Sequence, residues 1–379
     1  MKIAFISNFI NHHQVYVADE LYKLVGDGYK FIETEPMPEE FIKNGYPDYS
    51  ERPYVVKAYS TPSLMEYAKK FAYNADVVVI GSAPEELVIQ RIHDNKLTFR
   101  YNERWFKSKP WYLTGLKGWI HLYKNHIRYR NKPVYMLCAS AFTSKDVTTV
   151  GAYKNKCYKW GYFTKVEQYD IEELNQKLKL EHDTVRIMWC ARFIKLKHPE
   201  LPIQLASKLK KLGYSFILDM FGDGEELEHM KELAKHMDVC DCVEFKGVAP
   251  NDKILNEMKK HDIFLFTSDR NEGWGAVLNE AMSCGCAVVG SDKIGSVPFL
   301  INDGINGLIF QSENLKSLLD KVLLLLNNPS LIKNISLEAY KTMRDIWSPQ
   351  NAASQFYTLI ISLSSGKEFN IASGPCSKA

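Results

Sequence analysis

The stretch DIFLFTSDRNEGWGAVLNEAMSCGCAVVGS, residues 262–291, indicates the fold of the second half of the chain. It opens with a short apolar strand, passes through a glycine-containing loop and continues into a helical pattern from Ala276. A second apolar run, Ala287–Gly290, follows that helix, and this order is typical of a βαβ unit in a parallel sheet. Glycines let the backbone approach a ligand closely, and a helix N-terminus favours negative charge. The stretch therefore predicts a ligand-binding loop at the end of a buried strand.

The same alternation extends over both halves of the chain. Apolar or β-branched runs predict strands at Ile3–Ser7, Tyr29–Glu33, Val77–Gly81, Val134–Ala139, Val185–Ala191, Phe216–Phe221, Val243–Lys246, Ile263–Thr267 and Ala287–Gly290. Helical periodicity follows most of these runs, as in Val15–Val25 and Leu201–Leu212. We therefore expect an α/β fold with two doubly wound, Rossmann-like domains that face each other across a cleft.

The length of 379 residues agrees with two domains at about 150 residues each. An acidic, weakly apolar stretch at 167–183 separates two halves. We expect an N-terminal domain over 1–170, a second domain over 171–347, a last helix over 348–363 and a disordered tail over 364–379.

The composition excludes several classes of protein. With 46% hydrophobic and 25% charged residues the chain is neither disordered nor collagen-like. A net charge of +3 offers no reason to expect a nucleic-acid partner. No apolar run reaches the roughly 18 residues that span a bilayer. The eight cysteines lack C-x-x-C spacing, which favours reduced thiols and a cytoplasmic location.

Two carboxylates stand out in the opening stretch. Glu272 lies in the loop, and Glu280 follows eight residues later, about one turn into the helix. This spacing lets one carboxylate meet a sugar while the other meets a ribose diol. The alternative is that Glu272 only initiates the helix and that Glu280 is a solvated helix residue.

Two further segments follow predicted strands of the same sheet. Arg192 and Lys197 come after the first strand, where they could hold a diphosphate or form only a solvated basic turn. Gly222 and Gly224 come after the next strand, but Leu227 occupies the third glycine position of G-x-G-x-x-G. The missing third glycine argues against a dinucleotide-binding motif. No Walker motif and no Asp-x-Asp triplet is present.

In their order, these motifs resemble glycosyltransferase family 4, which comprises retaining enzymes of the GT-B fold. The resemblance covers about Val185 to Phe310 and implies that Glu280 binds the ribose of a nucleotide sugar. It implies that Arg192 and Lys197 hold the diphosphate, with main chain near Val248 reading the base. The donor sugar would meet Glu272 and the backbone of Gly273, Trp274, Gly275 and Ala276. The helix that begins near Trp347 resembles the family helix that crosses back to the first domain.

The first half carries the expected acceptor side. A loop with Asn11, His12 and His13 replaces the Gly-Gly loop of many family members, and it either approaches the donor phosphates or is satisfied locally. Glu103 is the candidate to orient an acceptor. The NHHQ, FRYNERWFK and YKWGYF stretches resemble capsule and exopolysaccharide glycosyltransferases of bacteria.

Lys96–Lys132 is strongly basic, with ten Lys or Arg, one acid and nine aromatics among its residues. Such a mixture suits an anionic membrane surface. Nucleic acid would also accept it, and an ordinary solvated basic surface over aromatic core residues is the third interpretation. We expect peripheral contact with an anionic membrane at the inner face of the cell membrane.

Together these observations predict a retaining, metal-independent glycosyltransferase with no cofactor beyond its nucleotide-sugar co-substrate. The donor is expected to be a UDP-sugar, or else a GDP-sugar, and the acceptor a saccharide or lipid-linked saccharide. The alternatives are a sugar-nucleotide epimerase on the same fold and a non-catalytic subunit of a polysaccharide-assembly complex.

Overall fold

The computed structural model describes residues 1–43, 47–107, 115–169, 174 and 184–379. The chain divides into two compact units. Unit 1 comprises Met1–Thr164 and Ile346–Ala379, and unit 2 comprises Lys165–Asp345. Most of the acidic stretch at 167–183 lies outside the described residues.

Unit 1 is built on a seven-stranded parallel sheet with the strand order β3-β2-β1-β4-β5-β6-β7. Its strands are β1 Ile3–Ser7, β2 Tyr29–Glu33, β3 Val55–Lys57, β4 Val77–Ile80, β5 Thr98–Asn102, β6 Val134–Cys138 and β7 Cys157–Lys159. Its helices are α1 Val15–Val25, α2 Glu39–Lys43, α3 Pro62–Asn74, α4 Glu86–His93, α5 Leu116–Asn125, α6 Thr143–Thr149 and, near the end of the chain, α14 Pro349–Ser364.

Every residue of β1 and β4 is buried because helices cover both faces of the sheet, which explains why their sequences are continuous apolar runs. Three strands of unit 1 are absent from the sequence prediction. Two of them, β3 and β7, have only three residues each, which is too short for a periodic signal. The third, β5, contains Arg100, which is buried. A charged residue interrupts the apolar pattern that predicts a strand inside a sheet.

Unit 2 repeats the same architecture with a six-stranded parallel sheet in the order β10-β9-β8-β11-β12-β13. Its strands are β8 Val185–Cys190, β9 Phe216–Phe221, β10 Val243–Gly247, β11 Ile263–Phe266, β12 Ala287–Ser291 and β13 Leu308–Phe310. Its α-helices are α7 Glu200–Lys211, α8 Leu227–His236, α9 Asn251–Met258, α10 Val277–Ser283, α11 Val297–Leu300, α12 Leu315–Leu326 and α13 Pro329–Lys341. The prediction of two doubly wound, Rossmann-like domains is thus confirmed.

Both sheets reverse their strand order at one place, between β1 and β4 in unit 1 and between β8 and β11 in unit 2. Loops that leave the carboxyl ends of two such strands diverge to opposite faces of the sheet, and the crevice between them is where doubly wound folds bind ligands. The topology therefore predicts ligand-binding residues in the segments that follow β1, β4, β8 and β11.

The last residues of the chain correct the prediction of a disordered tail over 364–379. The tail lies along the outer edge of unit 1, where Lys159 N donates to Ser377 O at 2.7 Å and Cys376 N donates to Lys159 O at 2.7 Å. Tyr158 and Lys378 form an antiparallel bridge, and Cys376 is fully buried. The order has a physical cause, because the exposed edge of β7 presents backbone donors and acceptors that the tail satisfies.

Candidate functional site

Lys197 and Glu272 are brought together by the switch point of unit 2. Lys197 ends a short 3₁₀ turn, Lys195–Lys197, after β8, and Glu272 lies in the loop after β11. The Lys197 ammonium and the Glu272 carboxylate form an ion pair in which each side chain is only about one-seventh exposed. Two candidates that are 75 residues apart in sequence therefore share one site.

A buried hydrogen-bond chain holds the Lys197 turn in place. The Trp189 indole donates to Thr267 Oγ1 at 2.9 Å, and Thr267 Oγ1 donates to the Lys197 carbonyl at 2.6 Å. Both side chains are fully buried, so the turn is tied to β8 and to the end of β11 at once. Neither residue is recognisable as functional from the sequence, because a Trp and a Thr in apolar strands look like ordinary core positions.

Gly222 and Gly224 let two loops of unit 2 pack backbone against backbone. A Cβ on Gly222 would lie 1.9 Å from Ala191 O, and one on Gly224 would lie 2.4 Å from Phe193 O. The loop after β8 is therefore seated directly on the loop after β9, with Phe193 N donating to Asp223 O at 2.8 Å. Arg192, in the first of these loops, is exposed at the same edge of the sheet.

The loop that contains Gly273, Trp274, Gly275 and Ala276 connects β11 to α10. The Trp274 side chain is fully buried and its indole donates to Asn279 Oδ1 at 2.8 Å. It is thus a core residue, and only the Trp274 main chain can meet a ligand. Its burial anchors the loop and sets the path of the backbone on either side.

Glu280 is a buried residue, 8% exposed, and not a solvated one. Burial raises the pKa of its carboxyl to about 7, with a hydrogen bond from Asn251 acting in the opposite direction. Burial raises the pKa of the Cys190 thiol at the end of β8, and the charges of Glu280 and Lys197 act on it in opposite directions. Val248, in contrast, is 72% exposed just after β10.

Unit 1 holds a cavity of about 510 Å³ at its own switch point. Its wall is formed by the ends of β1, β4 and β5, by residues that follow them, and by parts of α5 and of the segment after β7, and it is predominantly polar. The lining includes Asn8, Asn11, His13, Gln14, Glu85, Arg100, Asn102, Glu103, His121, His126 and Tyr162. The wall thus offers hydrogen-bond donors and acceptors together with the phenol rings of Tyr101 and Tyr162, which are the groups that a polyhydroxylated ligand requires.

Asn11 and His13 line this cavity, while His12 stands next to them in the loop after β1. The Asn11 side chain accepts a hydrogen bond from His13 N at 2.9 Å, which shapes the loop. The His13 ring stacks on Tyr162 with centroids 4.8 Å apart. Burial lowers the pKa of His12 to about 4, and burial together with the His12 charge lowers the pKa of His13 well below its usual value. Both imidazoles are therefore neutral near pH 7.

Glu103 also lines the cavity and is held by two partners. It accepts a hydrogen bond from the Tyr162 hydroxyl at 2.6 Å and forms an ion pair with Lys107. Glu103 is a site residue predicted from the sequence, whereas Tyr162, Arg100, Glu85 and His126 are not. Their signal was weak, because each lies on a different element and only the fold brings them together.

The segment Lys96–Lys132 is not one continuous surface. Its first part forms β5, a buried strand in the interior of the sheet, and Arg100 on that strand is 2% exposed. Residues 108–114, including Trp111, lie outside the described residues. One exposed part is α5, whose Leu116, Trp119, Ile120 and Tyr123 share one helix face.

In the described part of the chain, none of the helices is both long enough and apolar enough to cross a membrane. Within the same residues, no three His, Cys, Asp or Glu side chains are grouped so as to hold a metal ion.

Comparison with protein families gives a match in the second half of the chain. Residues 170–342 match the family described as "Glycosyl transferases group 1". The N-acetyl-alpha-D-glucosaminyl L-malate synthase of Bacillus anthracis is 24% identical over 190 residues, which is 50% of this chain and 49% of that protein. The chain thus aligns with about half the length of this curated relative, and with less of several others.

Solved structures match over nearly the whole chain. Anabaena Alr3699/HepE in complex with UDP has a TM-score of 0.69 at 14% identity, covering 96% of this chain and 100% of that one. A glycosyltransferase from Rickettsia africae has a TM-score of 0.68 at 16% identity, covering 97% and 99%. Residues 170–342 are therefore similar to the group 1 glycosyltransferases, and the two Rossmann-like domains have the GT-B fold of these solved structures.

Proposed function

We propose that this protein is a retaining glycosyltransferase that moves a sugar from a UDP-sugar to a saccharide acceptor without a metal ion. The observation that carries the proposal is the ion pair of Lys197 and Glu272 at the switch point of unit 2, with the buried Glu280 on the helix that follows the same loop. The match of this unit to group 1 glycosyltransferases supports the reaction class. UDP in the HepE complex supports the choice of nucleotide.

Each residue has a defined task in this reaction. The bond between the anomeric carbon and the diphosphate oxygen breaks, and a bond from that carbon to the acceptor oxygen forms. The departing diphosphate takes the acceptor proton. Lys197 and Arg192 are cations that stabilise the charge developing on the diphosphate, the task a divalent ion performs in other enzymes. Glu280 accepts hydrogen bonds from the ribose hydroxyls.

Glu272 is assigned to the sugar of the donor. In the structure its carboxylate is paired with Lys197, which keeps both side chains at the site. When the diphosphate binds, Lys197 gains a stronger anionic partner, and Glu272 becomes available to hydroxyls of the donor sugar. The main chain of residues 273–276 lies next to it.

We assign the acceptor to the cavity of unit 1. Asn11, His13 and Glu103 contribute polar groups there, and the stacked His13 and Tyr162 rings offer an aromatic wall to the apolar face of a sugar. The acceptor is a saccharide, or a lipid-linked one.

A lipid-linked acceptor would require contact with an anionic membrane at the cytoplasmic face. The exposed apolar face of α5 is the part of Lys96–Lys132 suited to that contact, since Trp119 and Tyr123 are side chains that favour the interface. Lys117 and Lys124 on the same helix provide basic groups.

A transfer assay with donor-site variants tests the proposed function. UDP-glucose and UDP-N-acetylglucosamine are incubated with a panel of saccharide acceptors, in buffer with EDTA and again with added magnesium. We expect transfer in EDTA, Glu280→Ala to weaken UDP binding in a thermal-shift assay, and Lys197→Ala to lower turnover by about 100-fold or more. Lys195→Ala, in the same 3₁₀ turn, is the matched control and should retain turnover.

Three outcomes would contradict the proposal. Activity that requires magnesium would refute metal independence. Conversion of the donor without any acceptor would indicate an epimerase. UDP-sugar binding without transfer to any acceptor would indicate a non-catalytic subunit.

A further inference from the structure

His198 connects the turn that carries Lys197 to the start of α7. It directly follows the 3₁₀ turn Lys195–Lys197, and its backbone φ of 48° lies in the left-handed region. Few residues other than glycine adopt this region, although histidine does so more often than most. The His198 side chain is only 18% exposed. A partly buried side chain kept at a position that glycine would adopt more easily is a candidate for a functional role.

Both nitrogens of the His198 ring face carboxylates. Nδ1 lies 2.7 Å from Oε1 of Glu200, the first residue of α7, and Nε2 lies 3.6 Å from Oδ2 of Asp269, in the loop after β11. Glu313, between β13 and α12, adds a third negative charge that acts on the ring. A neutral imidazole has only one N–H, so its second nitrogen would turn a lone pair toward a carboxylate. These surroundings therefore favour the imidazolium, which carries a proton on each nitrogen.

The pKa of His198 agrees with this geometry. The hydrogen bond with Glu200 raises the pKa of the ring, burial acts in the opposite direction, and the charges of Glu200, Glu313 and Asp269 add to the rise. A histidine with a raised pKa stabilises the folded protein through its protonated form. That stabilisation is fully present below about pH 6.5, the usual pKa of histidine, and is lost as the pH rises through the raised value.

Asp269 connects this charge to the donor site. Its N–H donates to the carbonyl of Leu196, in the 3₁₀ turn, at 2.9 Å, and its own carbonyl accepts from Glu272 N at 3.2 Å. The carboxylate that faces His198 therefore belongs to the residue that joins the two loops of the Lys197–Glu272 ion pair. Attraction between the imidazolium and Asp269 holds these loops together, and loss of the proton removes that attraction.

We propose that His198 is a positioning residue that keeps Lys197 and Glu272 aligned on the donor only while its ring is protonated. This role rests on the proposed function, in which both side chains act on a UDP-sugar, and it adds a dependence of turnover on pH. His198 acts through the Lys197 turn and through Asp269, and it takes no part in bond breaking.

The pH profile of kcat at saturating UDP-glucose tests this role. Saturation separates the effect from the ionisation of Glu280, which acts on donor affinity. We expect the wild-type kcat to fall by about tenfold between pH 6 and pH 9, because a displaced Lys197 stabilises the leaving diphosphate poorly. His198→Asn tolerates the left-handed backbone but cannot titrate, so its kcat should be low at pH 6 and lack this fall, with a smaller change in KM. Parallel profiles for the two proteins would refute the role of His198.

His198→Lys tests whether a positive charge is sufficient. Lysine remains charged at pH 9, so this variant should exceed His198→Asn in kcat at pH 6 and exceed the wild type at pH 9. His229→Asn is the matched control, since His229 also faces a carboxylate, that of Glu226 at 3.4 Å, but lies exposed on α8. Its profile should coincide with that of the wild type. No advantage of His198→Lys over the wild type at pH 9 would contradict the ionic role.

The melting temperature gives a readout that requires no transfer. The wild type should melt about 2–5 °C above His198→Asn at pH 6, and the difference should shrink toward pH 9. A difference that is constant with pH would overturn the role of His198, even where transfer from UDP-glucose is observed. Absence of transfer in the wild type would refute the proposed function instead. The ratio of wild-type to His198→Asn affinity for UDP-glucose then decides, because it should decline from pH 6 to pH 9, and a constant ratio refutes the role.

Discussion

At the scale of the residue, the donor site depends on charges placed where water is scarce. Glu280 shows this most clearly, because its carboxyl is buried and its charge acts on the Cys190 thiol at the end of β8. Burial disfavours the charged carboxylate, which explains the raised pKa of Glu280. A ligand that donates hydrogen bonds to the buried carboxylate would therefore stabilise its ionised form.

The pKa of Glu280 predicts a pH dependence of donor binding. With a pKa of about 7, the ionised fraction falls about tenfold between pH 8 and pH 6. The ionised form is the better acceptor for two ribose hydroxyls, so the affinity for UDP-glucose should fall by up to about tenfold as the pH is lowered over this range. Titration calorimetry at several pH values measures the change.

The matched variant is Glu280→Gln, which cannot titrate. Its affinity should be lower at pH 8 and nearly constant with pH. In the wild type the folded carboxyl has the raised pKa, so the ionised group destabilises the fold increasingly as the pH rises through about 7. The glutamine variant should therefore melt at or above the wild-type temperature at pH 8. Parallel pH profiles for the two proteins would exclude Glu280 as the titrating group.

At the scale of the element, the ends of parallel strands deliver the functional side chains. Strands β8 and β11 diverge at the switch point of unit 2, and the turn after β8 meets the end of β11 through Thr267. The Trp189–Thr267–Lys197 chain joins two strands and one turn in the buried interior. Its effect on catalysis comes from positioning, because neither Trp189 nor Thr267 carries a charge.

Replacement of Thr267 should separate turnover from donor binding. Thr267→Val keeps the shape but leaves the Trp189 indole and the Lys197 carbonyl without a partner, which costs about 1–3 kcal/mol of unfolding free energy. The Lys197 turn loses its anchor, so kcat should fall by about tenfold or more with a smaller change in KM. Thr267→Ser restores the hydroxyl and should recover most of kcat. An equal loss of kcat in both variants would contradict the positioning role.

At the scale of the whole molecule, the C-terminal segment completes unit 1. Helix α14 packs on α1 near the other end of the sequence, and the tail then covers the edge of β7. Phe356 is buried against Phe99 and Trp160, so this helix contributes to the core of the unit. Unit 2 has its own hydrophobic core around Trp189 and Phe193.

Removal of the tail tests whether it stabilises unit 1 independently of unit 2. Truncation after Lys367 exposes the β7 edge and removes buried Cys376 together with two short backbone hydrogen bonds. Each kcal/mol lost lowers the melting temperature of a unit of this size by roughly 2–4 °C, and we expect a loss of roughly 5–10 °C. Scanning calorimetry measures the shift. UDP binding by unit 2 should be retained, and an unchanged melting temperature would show that the tail does not stabilise unit 1.

The sequence by itself determined the βα alternation, the two-domain α/β fold and the donor candidates of unit 2. These depend on patterns between near neighbours in the chain, such as apolar runs in strands and the eight-residue spacing of Glu272 and Glu280.

Tertiary structure alone decided the rest. Trp189 and Thr267 are 78 residues apart, and Arg100 is 15 residues from Glu85 on another element. The tail 364–379 is ordered because it pairs with β7, more than 200 residues away, although its own sequence lacks periodicity. The physical reason is that burial and hydrogen-bond satisfaction belong to the folded environment of a group. The residues next to it in the chain do not determine them.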